Sequence, residues 1–386
     1  MLIPDYAPLD RHCETPITDA DRLQAIDWSF HARGKASKVE AIHPYPAKFI
    51  GEIPAAFLSS LPIPANTAVM DPFCGSGTTL LEAQKFGRPS VGIDLNPIAC
   101  LISRVKTSPL ADGFLEAVAQ IAEEAQAVKK VAIPDIPNVD HWFKEDIQKA
   151  VAALAVTLAK PCYAAWQDAL RLALSSILVR VSNQDSDTRY AAVDKGIVPA
   201  DVFTQFQLAA QKTSKALATR SWTLPSAKVI ESDVLQVKPE QIGVPVGLMV
   251  TSPPYPNAYE YWLYHKYRMW WLGFDPIAVK EQEIGARAHF FKKNHHTADM
   301  FVDQMRGTLD LVSSVLVSGG YACVVVSRSK IHGEVHDNGA MIYDLGASMG
   351  LKPIIKLERE IKSSRKSFNL SHANIKTETV LVLKKK

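Results

Sequence analysis

The stretch Thr67-Ala-Val-Met-Asp-Pro-Phe-Cys-Gly-Ser-Gly-Thr-Thr79 constrains the fold of this chain more than any other segment. A short apolar strand pattern runs directly into a turn carrying two closely spaced glycines, and a helical pattern follows over residues 80–86. A second strand pattern, Ser90-Val-Gly-Ile-Asp94, comes next. Strand, turn, helix and strand at this spacing call for a parallel sheet covered by helices on both faces. Gly75 and Gly77 can take backbone angles that a Cβ resists, so the turn can press against a ligand. The helix start behind it favours the polar end of that ligand. Asp94 closes the second strand, where dinucleotide folds place an acid that holds a ribose hydroxyl pair. Taken alone, Asp94 also reads as a helix N-cap before Asn96-Pro97. The turn lacks both the G-x-G-x-x-G spacing of nicotinamide-dinucleotide folds and the G-x-x-x-x-G-K of phosphate loops. A nucleoside-containing cofactor of another kind is expected.

The rest of the chain organises around that unit. Residues 1–42 are polar and mixed, and read as an N-terminal arm. Residues 109–225 are rich in Ala, Leu and Gln at helical spacing and read as a helical insertion. Strand patterns resume at Ala227-Lys-Val-Ile-Glu-Ser-Asp233 and Val246-Gly-Leu-Met-Val-Thr-Ser252, then at 321–327, 353–359 and 377–383. The expected architecture is one α/β domain, residues 43–108 and 226–386, interrupted by 109–225. The five cysteines form no C-x-x-C pair, which suits reduced thiols in a cytosolic protein and gives no metal-ligand pattern. No apolar run approaches the roughly 20 residues that span a bilayer, and the first residues lack the apolar core of a secretory signal. With 386 residues and a net charge of +3, any nucleic-acid footprint must be local.

A second motif, Thr251-Ser-Pro-Pro-Tyr255, follows an apolar strand and so falls at the carboxyl edge of the sheet, where α/β folds bind ligands. Its double proline fixes the backbone beside a hydroxyl and an aromatic ring. Together the two motifs closely resemble those of the S-adenosylmethionine-dependent amino-methyltransferases that modify DNA. The resemblance spans residues 43–108 and 226–386 and implies a Rossmann-like class I methyltransferase sheet. In such enzymes Phe73 packs on the cofactor, backbone near Gly75 and Gly77 approaches its methionine end, Asp94 takes the ribose and Asp233 the adenine. Asp71, Cys74, Thr78 and Leu95 join that pocket by the same resemblance. His43-Pro-Tyr-Pro-Ala-Lys-Phe49 resembles the upstream motif lining the methionine end, with Tyr45 in the wall and Lys48 able to pair the cofactor carboxylate. A solvated Lys in a proline-bounded loop is the plainer reading of Lys48.

A base amino nitrogen is a poor nucleophile, because its lone pair is delocalised into the ring. By the resemblance, the Ser252 oxygen and Pro253 carbonyl accept its two N–H bonds, Pro254 stiffens the loop, and Tyr255 stacks on a base flipped out of the duplex. Ser at position 252, where Asp is the other common choice, leans toward cytosine N4 over adenine N6. The implied partner is double-stranded DNA in a restriction-modification or related marking role, with a cognate restriction endonuclease that need not bind physically. The order of motifs departs from a common family pattern, in which the Pro-Pro-Tyr motif comes first. That leaves the target-reading region open between the insertion and the loop 282–300.

Two basic stretches are candidate nucleic-acid contacts: Arg287, Lys292 and Lys293 within Arg287-Ala-His-Phe-Phe-Lys-Lys-Asn-His-His296, and Lys362, Arg365 and Lys366. Both also read as solvated polar loops. Competing functions are an RNA guanine-N2 methyltransferase, which usually carries an Asp before the prolines, and a non-enzymatic nucleic-acid-binding module that kept the fold.

Overall fold

The structure is a computed structural model and describes residues 17–32, 34–187, 189–256, 259–291, 296–361 and 377–386. Its centre is a seven-stranded sheet. The strands are β1 (Ala68–Asp71), β2 (Ser90–Asp94), β3 (Ala227–Glu231), β4 (Val246–Thr251), β5 (Leu316–Val326), β6 (Leu351–Glu360) and β7 (Thr377–Lys385). They lie in the order β6-β7-β5-β4-β1-β2-β3. β3, β2, β1, β4 and β5 pair in parallel, while β7 runs antiparallel between β5 and β6. This is the Rossmann-like methyltransferase sheet, and its strand order reverses at β1, between β2 and β4. Crossovers leave to opposite faces there, so a crevice opens at the carboxyl ends of these strands.

β1 and β4 are buried along their whole length. That fits their unbroken apolar sequences, since a central parallel strand faces helices on both sides. Met70, Met249 and Leu381 pack on one face against the helices Ala298–Val315 and Asn338–Ser348. Val69, Leu248, Val250 and Tyr321 pack on the other, against Phe57 and Leu58 of the helix Glu52–Ser60.

From residue 17 the stretch read as an arm is part of this second layer. Thr18 and Asp21 form a capping box at the helix Asp19–Gln24, and Leu23 and Trp28 are buried against Phe57. The Trp28 carbonyl accepts Arg359 Nε–H at 2.9 Å, and Asp19 accepts the Tyr321 hydroxyl at 2.7 Å. With so few apolar residues, the stretch has no periodicity to announce this. The polar bonds to β5 and β6 hold it.

Residues 109–225 are mainly helical, with Phe114–Gln126, Glu145–Leu158, Gln167–Val181 and Pro199–Leu217 packed around their own apolar core. A two-stranded hairpin, Gln184–Ser186 with Arg189–Ala192, interrupts them. Tyr267 and Trp271 from the helix Tyr261–Trp271 complete that core, so the insertion leans on the element that follows the Pro-Pro-Tyr motif. Among the described residues no helix is long and apolar enough to cross a membrane, and no group of three His, Cys, Asp or Glu side chains could hold a metal.

Candidate active site

Four strand ends meet at one cavity. Asp71 closes β1, Asp94 closes β2, Asp233 stands just beyond β3, Ser252 follows β4, and all four line it. The glycine turn between β1 and the helix Thr78–Lys85 is held from several sides. Asp71 Oδ1 accepts the Thr251 hydroxyl at 2.6 Å and the Phe73 N–H at 3.1 Å. The Gly75 N–H donates to Asp94 Oδ2 at 2.8 Å. The Ser103 hydroxyl donates to the Gly75 carbonyl at 2.9 Å, and Lys106 Nζ to the Ser76 carbonyl at 2.7 Å. Gly77 adopts φ 76°, and a Cβ there would lie 2.7 Å from Ser103 Oγ and 3.0 Å from Ser103 Cα. Only glycine serves at a left-handed position pressed so close to its neighbour.

Asp94 does not cap the following helix. That role falls to Asn96, whose side chain accepts the Ile98 N–H at 2.9 Å. Asp94 accepts the amides of Gly75 and Asn96, each at 2.8 Å, while lining the cavity. Burial lifts the Asp71 and Asp94 carboxyls to about 6, against the hydrogen bonds that pull them down. Among the described residues neither has an ion pair. Asp71 is spent on Thr251 and the turn, so its place is to brace the motif.

Tyr45, Phe73, Cys74, Gly75, Thr78 and Leu95 all line the cavity, and Gly77 caps the helix beneath it. The Tyr45 ring stacks on Tyr261, with centroids 5.8 Å apart. Lys48 is also in the wall, but its ammonium donates to the carbonyls of Glu40 at 2.8 Å and His43 at 3.0 Å. The sequence left Lys48 open between a cofactor carboxylate and solvent, and these two bonds tie the upstream loop to itself. His43 is buried, with Nδ1 2.6 Å from the Pro44 carbonyl and Nε2 2.9 Å from Ser175 Oγ of the insertion. A carbonyl only accepts, so Nδ1 carries the proton and Nε2 accepts from Ser175. Arg268 donates to the Ser175 carbonyl at 3.2 Å and pairs with Asp187, which adds a second bond between the insertion and this side of the site.

Ser252, Pro253, Pro254 and Tyr255 line the cavity too. The Tyr255 hydroxyl donates to Glu378 Oε1 at 3.3 Å, and Glu378 also pairs with Arg359, so the ring is braced from β7 and β6. Tyr259, Tyr261, Glu283 and Ile284 complete the wall. No motif marks these four. For Tyr259 and Tyr261 the only signal was aromatic density after the prolines, and Glu283 and Ile284 had none. Among the expected nucleic-acid contacts, Arg287 opens a short helix, Arg287–Phe291, and is not part of the cavity wall. Lys292, Lys293, Lys362, Arg365 and Lys366 lie outside the described residues.

Known proteins share this stretch. Residues 12–104 match the family model described as DNA methylase, of the N6 and N4 type. That segment is similar to the amino-methyltransferases. Within its matches, the type II methyltransferase M.MjaII of Methanocaldococcus jannaschii is 37% identical over 86 residues, 21% of this chain and 16% of that protein. M.MvaI of Kocuria varians, also a type II methyltransferase, is 30% identical over 119 residues, 27% of this chain and 26% of that protein. M.BsoBI of Geobacillus stearothermophilus, a third, is 23% identical over 286 residues, 64% of this chain and 56% of that protein. The chain therefore matches between about a sixth and just over half of the length of these relatives.

S-adenosylmethionine is the cofactor of this family, and the cavity fits it. Asp71, buried, stands at the end of β1, Asp94, half-buried, at the end of β2, and Asp233 just beyond β3, with Phe73, Leu95 and Val234 between them as apolar wall. The turn is narrow enough that a Cβ on Gly75 would come within 3.3 Å of the Tyr45 hydroxyl. A ligand with a ribose, a flat purine and a cationic end matches that set of groups.

Proposed function

We propose that this protein methylates the exocyclic amino group of a base in DNA, with cytosine N4 as the acceptor. The observation that carries the reading is the shared cavity: Ser252 through Tyr255 open onto the same space as the glycine turn and Asp94. When bound there, S-adenosylmethionine supplies an electrophilic methyl group. The protein's own part is to hold a nucleophile in line with it, and alignment of this kind accounts for much of such a rate.

In this reading Ser252 Oγ and the Pro253 carbonyl accept the two N–H bonds of the target amine. As nitrogen becomes cationic in the transition state, those acceptors strengthen their hold, so they act where stabilisation raises the rate. Pro253 and Pro254 keep the acceptors from following the base if it shifts. Tyr255, braced by Glu378, offers a ring face for stacking. Asp94 and Asp233 hold the ribose and the adenine, while Phe73 packs on the cofactor. Double-stranded DNA is the substrate, and the base must leave the stack to reach so enclosed a site. Either the insertion 109–225 or the loop 282–300 is the surface assigned to reading the target.

The test is transfer of a labelled methyl group to a panel of DNA duplexes and to tRNA, followed by mass spectrometry of the digested product. N4-methylcytosine is the expected product. N6-methyladenine would change only the base, and methylation confined to tRNA would overturn the DNA reading.

A further inference from the structure

We propose that Glu283 is a specificity-determining residue of the cofactor site, favouring the positively charged methyl donor over the neutral thioether that remains after transfer. The inference rests on the cofactor reading given above. Glu283 follows the helix Pro276–Gln282, is 7% exposed, and lines the same cavity as Asp94, Ser252 and Tyr255. Its two oxygens accept the Tyr261 N–H at 2.8 Å and the Trp262 N–H at 2.7 Å. Those donors are neutral amides.

Among the described residues no cation pairs with Glu283, Asp71 or Asp94. Lys48 is held by the Glu40 and His43 carbonyls, and Lys106 by the Ser76 carbonyl. The other groups that face Glu283 are the acids Glu260 and Asp94, which disfavour its charge. Burial pushes the Glu283 carboxyl up to about 8, the two amides pull it back, and these neighbouring acids add to the rise. Tyr259 and Tyr261 complete this side of the wall as uncharged phenols. The result is a cavity lined by the carboxyls of Asp71, Asp94 and Glu283, none of them ion-paired among the described residues, while Lys48 in the same wall is held by backbone carbonyls. Anions in such a place are costly until a cation arrives.

The segment has little freedom to turn away. Gly285 has φ 75°, and a Cβ on it would lie 2.9 Å from the Tyr255 carbonyl oxygen, so the chain just after Glu283 lies against the Pro-Pro-Tyr motif. Glu283 is thereby fixed beside the reacting end of the cavity. A sulfonium brings the missing positive charge and a thioether does not. Glu283 therefore weakens retention of the spent cofactor relative to the fresh one.

The experiment is calorimetric titration of the full chain and of Glu283→Gln with S-adenosylmethionine, with S-adenosylhomocysteine, and with an unreactive analogue bearing an ammonium in place of the sulfonium. If the cation lowers the Glu283 pKa by about one unit from about 8, the preference it creates approaches tenfold in titrations at pH 9 and falls to about twofold at pH 7. The variant is expected to lose about that factor for both cationic ligands and to keep its affinity for the thioether. Equal weakening of all three, or no change in their ratio, overturns the inference. A measurement on the wild type alone guards against a misfolded variant. Titration in buffers of different ionisation enthalpy should show protons released with S-adenosylmethionine between pH 6 and 8 and fewer with the thioether; equal release overturns the inference. A wild-type protein that binds none of the three overturns the cofactor reading as well, and is told apart by that failure.

Discussion

The Gly75 amide donates to the Asp94 carboxylate across 2.8 Å, so the acid that closes β2 also holds the turn that leaves β1. Asp94→Ala removes that bond together with the acceptor assigned to the ribose. Cofactor affinity should fall by about 1.5–3 kcal/mol, the usual worth of a hydrogen bond to a charged group. Calorimetry that finds the affinity unchanged would remove Asp94 from the site.

Gly77→Ala puts a Cβ at φ 76° and within 2.7 Å of Ser103 Oγ. The Ser103 Cα stands only 3.0 Å away, so rotating the side chain cannot relieve the clash. A loss of about 1–3 kcal/mol in stability is expected from a residue forced into this conformation. Urea unfolding measures it, and a variant as stable as the parent would mean that the turn has more room than it displays.

Ser252→Ala should leave cofactor binding intact and lower the rate of methyl transfer by about a hundredfold, as the loss of one preorganised hydrogen bond commonly does. Tyr255→Phe keeps the ring and loses the bond to Glu378, so its effect should be smaller than that of Tyr255→Ala. Stacking contributes about 1–3 kcal/mol per base, so the alanine variant should also weaken DNA binding. Single-turnover kinetics and a DNA-binding titration separate the two effects. Full activity in both alanine variants would end the catalytic reading.

The buried acids of the cavity each give stability a pH dependence of known sign. Asp71 and Asp94 are raised to about 6 and Glu283 to about 8 in the folded state. A carboxyl raised on folding stabilises the fold while protonated. That contribution is whole below the unfolded value near 4 and is lost as pH climbs through the folded one. Burial holds Lys106 down to about 7, so that group works in the opposite sense and adds stability as pH rises above 7. Glu283→Gln removes only the Glu283 share, so its melting temperature at pH 9 relative to pH 6 should be higher than the parent's, and an unchanged difference would show that Glu283 carries no such strain.

Much of this was readable from residue order because strand, turn and helix chemistry is local. The apolar run before Asp71, the two glycines and the placement of Asp94 each act over a few residues, and their geometry is as the pattern implies. Lys48 was legible only in part. Its position in the upstream motif was readable, but the carbonyls of Glu40 and His43 that claim its ammonium are brought to it by the fold. Glu283 had no signal at all. Its partners, the amides of Tyr261 and Trp262, are some twenty residues back in the chain and belong to backbone, which sequence cannot spell. The stretch from residue 17 to 42 was obscured for a different reason. It joins the sheet through single buried residues such as Leu23 and Trp28, too sparse to form a period.

Tyr267 and Trp271 sit in the core of a helical body that is otherwise made from a separate run of sequence. Anyone transplanting 109–225 into a relative to exchange its DNA target would carry over a body missing two of its aromatic stones. The portable cassette is a discontinuous one, the insertion plus Tyr261–Trp271, and that helix starts a few residues beyond the loop assigned to catalysis. A change of target would then be felt at the chemistry, because both ends of one short rod are spoken for.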